Sequence, residues 1–370
     1  QSGSKSDPLD CKFGTFLLQR TASSSSARKL PPLRIAYRII RPSLLEPPAN
    51  ENEQEGQHSQ PAPLLVIHGG PSLPSEYLTP LAHNNHLQNR TVIFYDQLGC
   101  GWSSIPQNAD LYSVAQMGQD LAELVCHLKE SWKLETFHLL GHSLGGAIGY
   151  EFLKRQIEVE DARREGCAEG SNNDNNDDNK MPRCLSFILS NASTNFQQSS
   201  SEQMRLFQEF QLNHFQTKRV PSSSKQQKKK QVRNLDIREE FFRTHICRTP
   251  AKPAELESAL SRLGKKWSAN EYTAVPLAHE TTSCGVDATK TKTPGNTFPP
   301  VLILRGQYDF VTEPCTSGWK DIFASVQTHG QSDVKEVVLR DCAHYPHFEQ
   351  PGMYSSEIVK FCSTLESCDT

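Results

Sequence analysis

Thr136-Phe137-His138-Leu139-Leu140-Gly141-His142-Ser143-Leu144-Gly145-Gly146 is the stretch that decides the fold. Residues 136–140 are an apolar run of strand length, and 144–156 read as a helix packed on a sheet. Gly141-His142-Ser143-Leu144-Gly145 is therefore Gly-X-Ser-X-Gly at a strand-to-helix turn, the context that makes the motif informative. The reason is steric. A nucleophile on so tight a turn has a strained backbone, and its neighbours two residues either side must lack side chains that would clash. Gly141 and Gly145 meet that need. The turn also aims a helix N-terminus at the reacting centre, where backbone N–H groups favour a developing oxyanion, and Leu144 N–H is the first expected donor.

Short apolar runs at 64–67, 91–95 and 184–190 flank this one, with helical spacing over 113–129 through Val114, Met117, Leu121, Leu124, Val125 and Leu128. That rhythm implies βαβ units and a parallel sheet. Two strands precede it, 12–19 and 33–41, and the second alternates as an antiparallel edge strand does. The rhythm resumes at 301–304 and 336–339, and the last helix is read at 355–365.

A serine hydroxyl is a poor nucleophile without a base, so the motif requires a histidine oriented by a carboxylate, in the chain order Ser, acid, His. Asp309 follows the strand 301–304 in Gly306-Gln307-Tyr308-Asp309, and His344 follows the strand 336–339 in Asp341-Cys342-Ala343-His344. Both stand one short loop past a strand end. Asp341 and His347 are the nearby alternatives as acid and base. His68-Gly69-Gly70-Pro71 follows the strand 64–67, where a His-Gly-Gly loop donates a second N–H to an oxyanion; Gly70 is the expected donor, and His68 is expected to stabilise the loop. The glycines of Asp96-Gln97-Leu98-Gly99-Cys100-Gly101 read as a tight supporting loop.

Polar stretches interrupt this core. The tract 172–179, all Asn and Asp, reads as a solvated insertion, and 46–63 as a polar connector. Residues 191–296 break the alternation with helix-like segments at 202–215, 237–247 and 254–263, read as a helical cap between the core parts 1–190 and 297–370. Lys228-Lys229-Lys230 is read as a solvated face, and a formal net charge of -3 gives no global basic field for nucleic acid or an anionic membrane. No run of about 18 apolar residues occurs. The eleven cysteines show no metal-site spacing and are read as reduced thiols, which places the chain in the cytoplasm. It opens on Gln1, so the sequence gives no reading of a targeting signal. No cofactor or metal is implied.

Together, His68-Gly69-Gly70-Pro71, Phe94-Tyr95-Asp96-Gln97-Leu98-Gly99-Cys100-Gly101, Gly141-His142-Ser143-Leu144-Gly145-Gly146, Gly306-Gln307-Tyr308-Asp309 and Arg340-Asp341-Cys342-Ala343-His344 resemble the prolyl aminopeptidase family. These are also called proline iminopeptidases and include the tricorn-interacting aminopeptidase. The resemblance covers about residues 33–190 and 297–365. It implies an α/β-hydrolase fold, a mostly parallel eight-stranded sheet with helices on both faces and an inserted helical cap. It also implies release of an N-terminal residue, often proline, from short peptides, with carboxylates holding the free amino group. Asn270-Glu271-Tyr272 resembles the cap segment carrying one such glutamate; where the tricorn-interacting enzyme has a second, after the acid, this chain has Phe310. Two other readings remain open: a carboxylesterase, lipase or amide hydrolase with the same triad, and a non-catalytic ligand-binding protein of this fold.

Overall fold

In the computed structural model the apolar runs form one eight-stranded sheet. The structure describes residues 10–18, 31–45, 60–70, 72–164, 180–217, 237–262, 298–326 and 334–367. The tract 172–179, Lys228–Lys230 and Glu271 lie outside them. The strands are β1 (Cys11–Leu18), β2 (Leu33–Ile40), β3 (Leu64–Ile67), β4 (Val92–Asp96), β5 (Thr136–His142), β6 (Arg183–Ser190), β7 (Val301–Gly306) and β8 (Val334–Leu339). Their spatial order is β1-β2-β4-β3-β5-β6-β7-β8. The β1–β2 and β2–β4 pairs are antiparallel and all others parallel.

Four-residue β3 shows why the central strands read as unbroken apolar runs. Leu65 and Ile67 enter one core cluster while Leu64 and Val66 enter the other, so both faces are covered. The first cluster is closed by α1 (Val114–Trp132), α2 (Leu144–Arg164) and the later helix Gly318–Val326. The apolar stripe expected on α1, from Val114 to Leu128, is buried in full, and Ser113 caps the helix by accepting from Gln116 N–H.

Between β6 and β7 the chain leaves the sheet. It forms α3 (Phe196–Thr217), a helical turn at 237–241 running into a π-helical turn at Phe242–Ile246, and α4 (Ala254–Leu260). It then re-enters at β7, followed by α5 (Gly318–Val326), β8 and α6 (Pro351–Glu366). With the 3₁₀ segment Ser75–His83, α6 closes the second core cluster.

Two expectations are corrected. Strand β2 is not an edge: β1 pairs along its whole length, from Cys11↔Ile40 to Leu18↔Leu33, and takes the outer position. Alternation reports that one face of β2 is more exposed but says nothing of what lies beside it. Helix α2 also continues past residue 156 to Arg164, because its last turns are solvent-facing and carry no apolar stripe to read.

Candidate active site

Strands β3 to β8 run parallel, so their carboxyl ends share one edge of the sheet, where ligands of open α/β sheets bind. Ser143 occupies the turn from β5 to α2 with φ 54°, in the left-handed region that costs a residue with a side chain. The crowding inferred from sequence is present: a Cβ on Gly141 would strike the backbone of Gly145, and one on Gly145 would strike Ile67 O. Ser143 N–H donates to Ser190 O at 2.9 Å, and Gly146 N–H to Ser143 O at 3.0 Å, holding the turn.

The structure brings Asp309 and His344 together. His344 Nδ1 lies 2.9 Å from Asp309 Oδ1 and 3.1 Å from Oδ2, both residues being buried. A carboxylate only accepts, so Nδ1 carries a proton, and in the neutral tautomer this bond selects, Nε2 has the lone pair. Val311 N–H also donates to Asp309 Oδ1 at 3.0 Å. Asn191, at the end of β6, donates to Asp309 Oδ2 and to Ala343 O. The two alternatives are placed elsewhere. His347 is buried, donates from Nε2 to Tyr77 O at 3.0 Å, and is pushed down to about 3 by that burial. Asp341 sits on a turn with φ 57° and makes no bond to His344 among the described residues.

Ser143 and His344 line one cavity of about 360 Å³, together with Gly70, Leu144 and Phe310. The Phe310 ring packs on the His344 imidazole with centroids 4.5 Å apart. No carboxylate belongs to its wall among the described residues. A second cavity of about 320 Å³, walled by Met204, Phe207, Phe241 and Phe242, shares Ser200, Gln203 and Ile246 with the first.

The Gly69–Gly70 loop is braced from two sides. His68 Nε2 accepts from Gln97 N–H at 3.0 Å, so its Nδ1–H donates to Gly69 O at 2.7 Å, and Gln97 Nε2 donates to His68 O at 2.7 Å. Burial lowers the pKa of His68, which suits a neutral brace. Gly69 N–H donates to Tyr77 Oη at 2.7 Å, leaving Gly70 N–H and Leu144 N–H without a described acceptor beside Ser143.

His142, between Gly141 and Ser143 in the motif, is tied at both nitrogens. Nε2–H donates to His344 O at 2.8 Å, so Nδ1 accepts from Tyr77 O–H at 2.8 Å. Burial, then the neighbouring His344 and His347, hold its pKa well below the ordinary imidazole value. It is a neutral strut between the serine turn, the histidine loop and the glycine loop.

The β6–β7 connection is fastened to the same loops. His344 N–H donates to Ile246 O at 3.0 Å, and His245 Nδ1–H donates to Tyr308 O at 2.8 Å. The Arg248 guanidinium lies 3.9 Å over the Tyr308 ring. Glu349 accepts from Arg248 N–H and Ala343 N–H, and its burial raises its carboxyl to about 7 against those bonds. Among the described residues no group of His, Cys, Asp and Glu could hold a metal ion, the eight described cysteines are free thiols, and no helix is long and apolar enough to cross a membrane.

Similarities to known proteins agree with this architecture. The chain is 38% identical to a proline iminopeptidase of Lactobacillus crispatus over 99 residues, 26% of this chain and 32% of that protein. It is 39% identical to one of Lactobacillus delbrueckii subsp. lactis over 98 residues, 26% of this chain and 33% of that protein. The match thus spans about a third of the length of these curated relatives. In structure the chain is similar to the proline iminopeptidase of Mycobacterium smegmatis, with TM-score 0.60 at 19% identity over 95% of this chain and 100% of that one. It is similar to an esterase of Thermogutta terrifontis, with TM-score 0.50 at 16% identity over 95% and 99%. Residues 64–356 match the model of the alpha/beta hydrolase family, and the chain belongs to that family.

Proposed function

We propose that the chain is a serine hydrolase that releases an N-terminal residue from short peptides through an acyl-enzyme on Ser143. The observation that carries this is the buried His344–Asp309 pair, whose bonded Nδ1 leaves Nε2 for the cavity Ser143 shares. In this reading Nε2 takes the Ser143 proton as Oγ attacks the carbonyl, and returns it to the departing amine. Asp309 holds the imidazole in the required tautomer and faces the positive charge that develops. The N–H groups of Gly70 and Leu144 receive the oxyanion. The segment 191–296 acts as the cap, and Glu271 is the proposed partner of the substrate's ammonium. Support for the peptidase assignment comes from the sequence likeness to proline iminopeptidases over about a quarter of the chain.

A second reading has its own observation. The described wall of the Ser143 cavity holds Phe310 and no carboxylate, which suits an uncharged acyl group and hence an ester or amide hydrolase with the same triad. One assay separates them: Pro-β-naphthylamide, its N-acetyl form and a short p-nitrophenyl ester, with wild type and Ser143→Ala. Turnover of the free-amine substrate alone, abolished in the variant, is the expected result. Turnover of the ester alone makes the chain a capped esterase, and activity surviving Ser143→Ala refutes both.

A further inference from the structure

Asn191 directly follows β6 and has φ 53°, a left-handed conformation that asparagine tolerates better than most residues. Its own N–H donates to Leu304 O at 2.8 Å, pinning it to the end of β7. The orientation of its amide follows from a chain of donors. Tyr354 O–H donates to Ser190 Oγ at 2.8 Å, and Ser190 then gives its single proton to Asn191 Oδ1 at 3.2 Å. The amide oxygen therefore faces Ser190, and Nδ2 faces the other way. Of the two Nδ2 hydrogens, one goes to Asp309 Oδ2 and the other to Ala343 O at 2.9 Å. Ser190 and Asn191 are fully buried.

One side chain thus holds the carboxylate that orients His344 and the carbonyl immediately before His344. We infer that Asn191 is a positioning residue of the proposed triad: it fixes Asp309 and the His344 loop relative to each other, and it donates a neutral hydrogen bond to a carboxylate that must stay ionised to face an imidazolium. The inference rests on the Ser143 hydrolase reading. An amide suits the place because it brings donors without charge; a carboxyl there would oppose Asp309, since two buried carboxylates within hydrogen-bond reach tend to share one proton.

The test needs no knowledge of the substrate. A fluorophosphonate forms a bond from Ser143 Oγ to phosphorus and expels fluoride, the serine proton passing to the base, so labelling reports the machinery alone. Labelling rates are measured from pH 5 to 10 for wild type, Asn191→Leu and Asn191→Asp, with circular dichroism at each pH. Wild-type labelling is expected to rise with pH to a plateau. Asn191→Leu is expected to fall about 100-fold, the scale of a small misplacement of catalytic groups. Asn191→Asp is expected to gain a descending limb that wild type lacks, as the proton shared with Asp309 is lost, while its dichroism stays native. An Asn191→Asp profile of wild-type shape, or a descending limb that tracks loss of native dichroism, overturns the inference and leaves Asn191 a structural residue. Wild type that does not label at Ser143 at any pH overturns the hydrolase reading itself.

Discussion

Tyr77 shows how much one hydroxyl can hold in place. It accepts from Gly69 N–H and donates to His142, whose other nitrogen supports the His344 carbonyl. Tyr77→Phe leaves a buried N–H and a buried imidazole nitrogen without partners, at about 1–3 kcal/mol for each such group. The expected result is a lower urea midpoint with an unchanged slope, and slower labelling of Ser143; a variant as stable as wild type would show that water or a shift in the loop replaces the hydroxyl. The sequence makes Ser143, Gly141 and Gly145 legible because their constraint is local: a tight turn has no room for a Cβ, whatever the rest of the chain does. Tyr77 and Asn191 are illegible for the opposite reason. Their partners lie 65 residues away at His142 and 118 residues away at Asp309, and no short window records such a pairing.

At the scale of elements, α6 is tied to the middle of the sheet by one carboxylate near its end. Glu366 takes a bidentate pair of bonds from Arg90, at 2.6 and 3.0 Å, and lies 3.1 Å from His138 Nε2 on β5. Ala62 N–H, just before β3, donates to it at 2.8 Å. Burial alone raises its pKa, but His138 and Arg90 outweigh that and hold it at about 2. A carboxyl depressed in the folded state adds stability above its unfolded pKa, and that stability is lost as pH falls from about 4.3 toward 2. Glu366→Gln is therefore expected to cost about 2–3 kcal/mol at pH 7 and to approach wild type near pH 2 in thermal unfolding; a constant gap across pH would mean that packing, not charge, is at work. Strand existence was legible in the central elements, since an unbroken apolar run such as Leu64–Ile67 has nowhere to lie but between two covered faces. Strand order was not, and β2 shows why: alternation records which side faces water, whereas the neighbour is chosen by pairing with β1 through a connection that carries no apolar signal.

Across the whole molecule the Ser143 cavity does not stop at the sheet edge. It adjoins the aromatic cavity between α3 and the 237–246 turns, with Ser200, Gln203 and Ile246 in both walls. If this space receives the part of a peptide beyond the scissile bond, Met204→Trp, which adds bulk there, is expected to lower kcat/KM about tenfold for an apolar tetrapeptide, on the scale by which apolar pockets discriminate. A single-residue arylamide should be unaffected; equal losses on both substrates would show that the second cavity is not a subsite. The same connection carries Ile246, the acceptor of His344 N–H, and His245 and Arg248, which grip Tyr308 beside Asp309. It follows that a transplant of residues 191–300 from another member of the family would exchange more than the walls of the Ser143 cavity. The graft would have to supply its own carbonyl for His344 N–H and its own grip on Tyr308, so in this chain a new cavity wall and a new setting of the Asp309–His344 pair are inherited together.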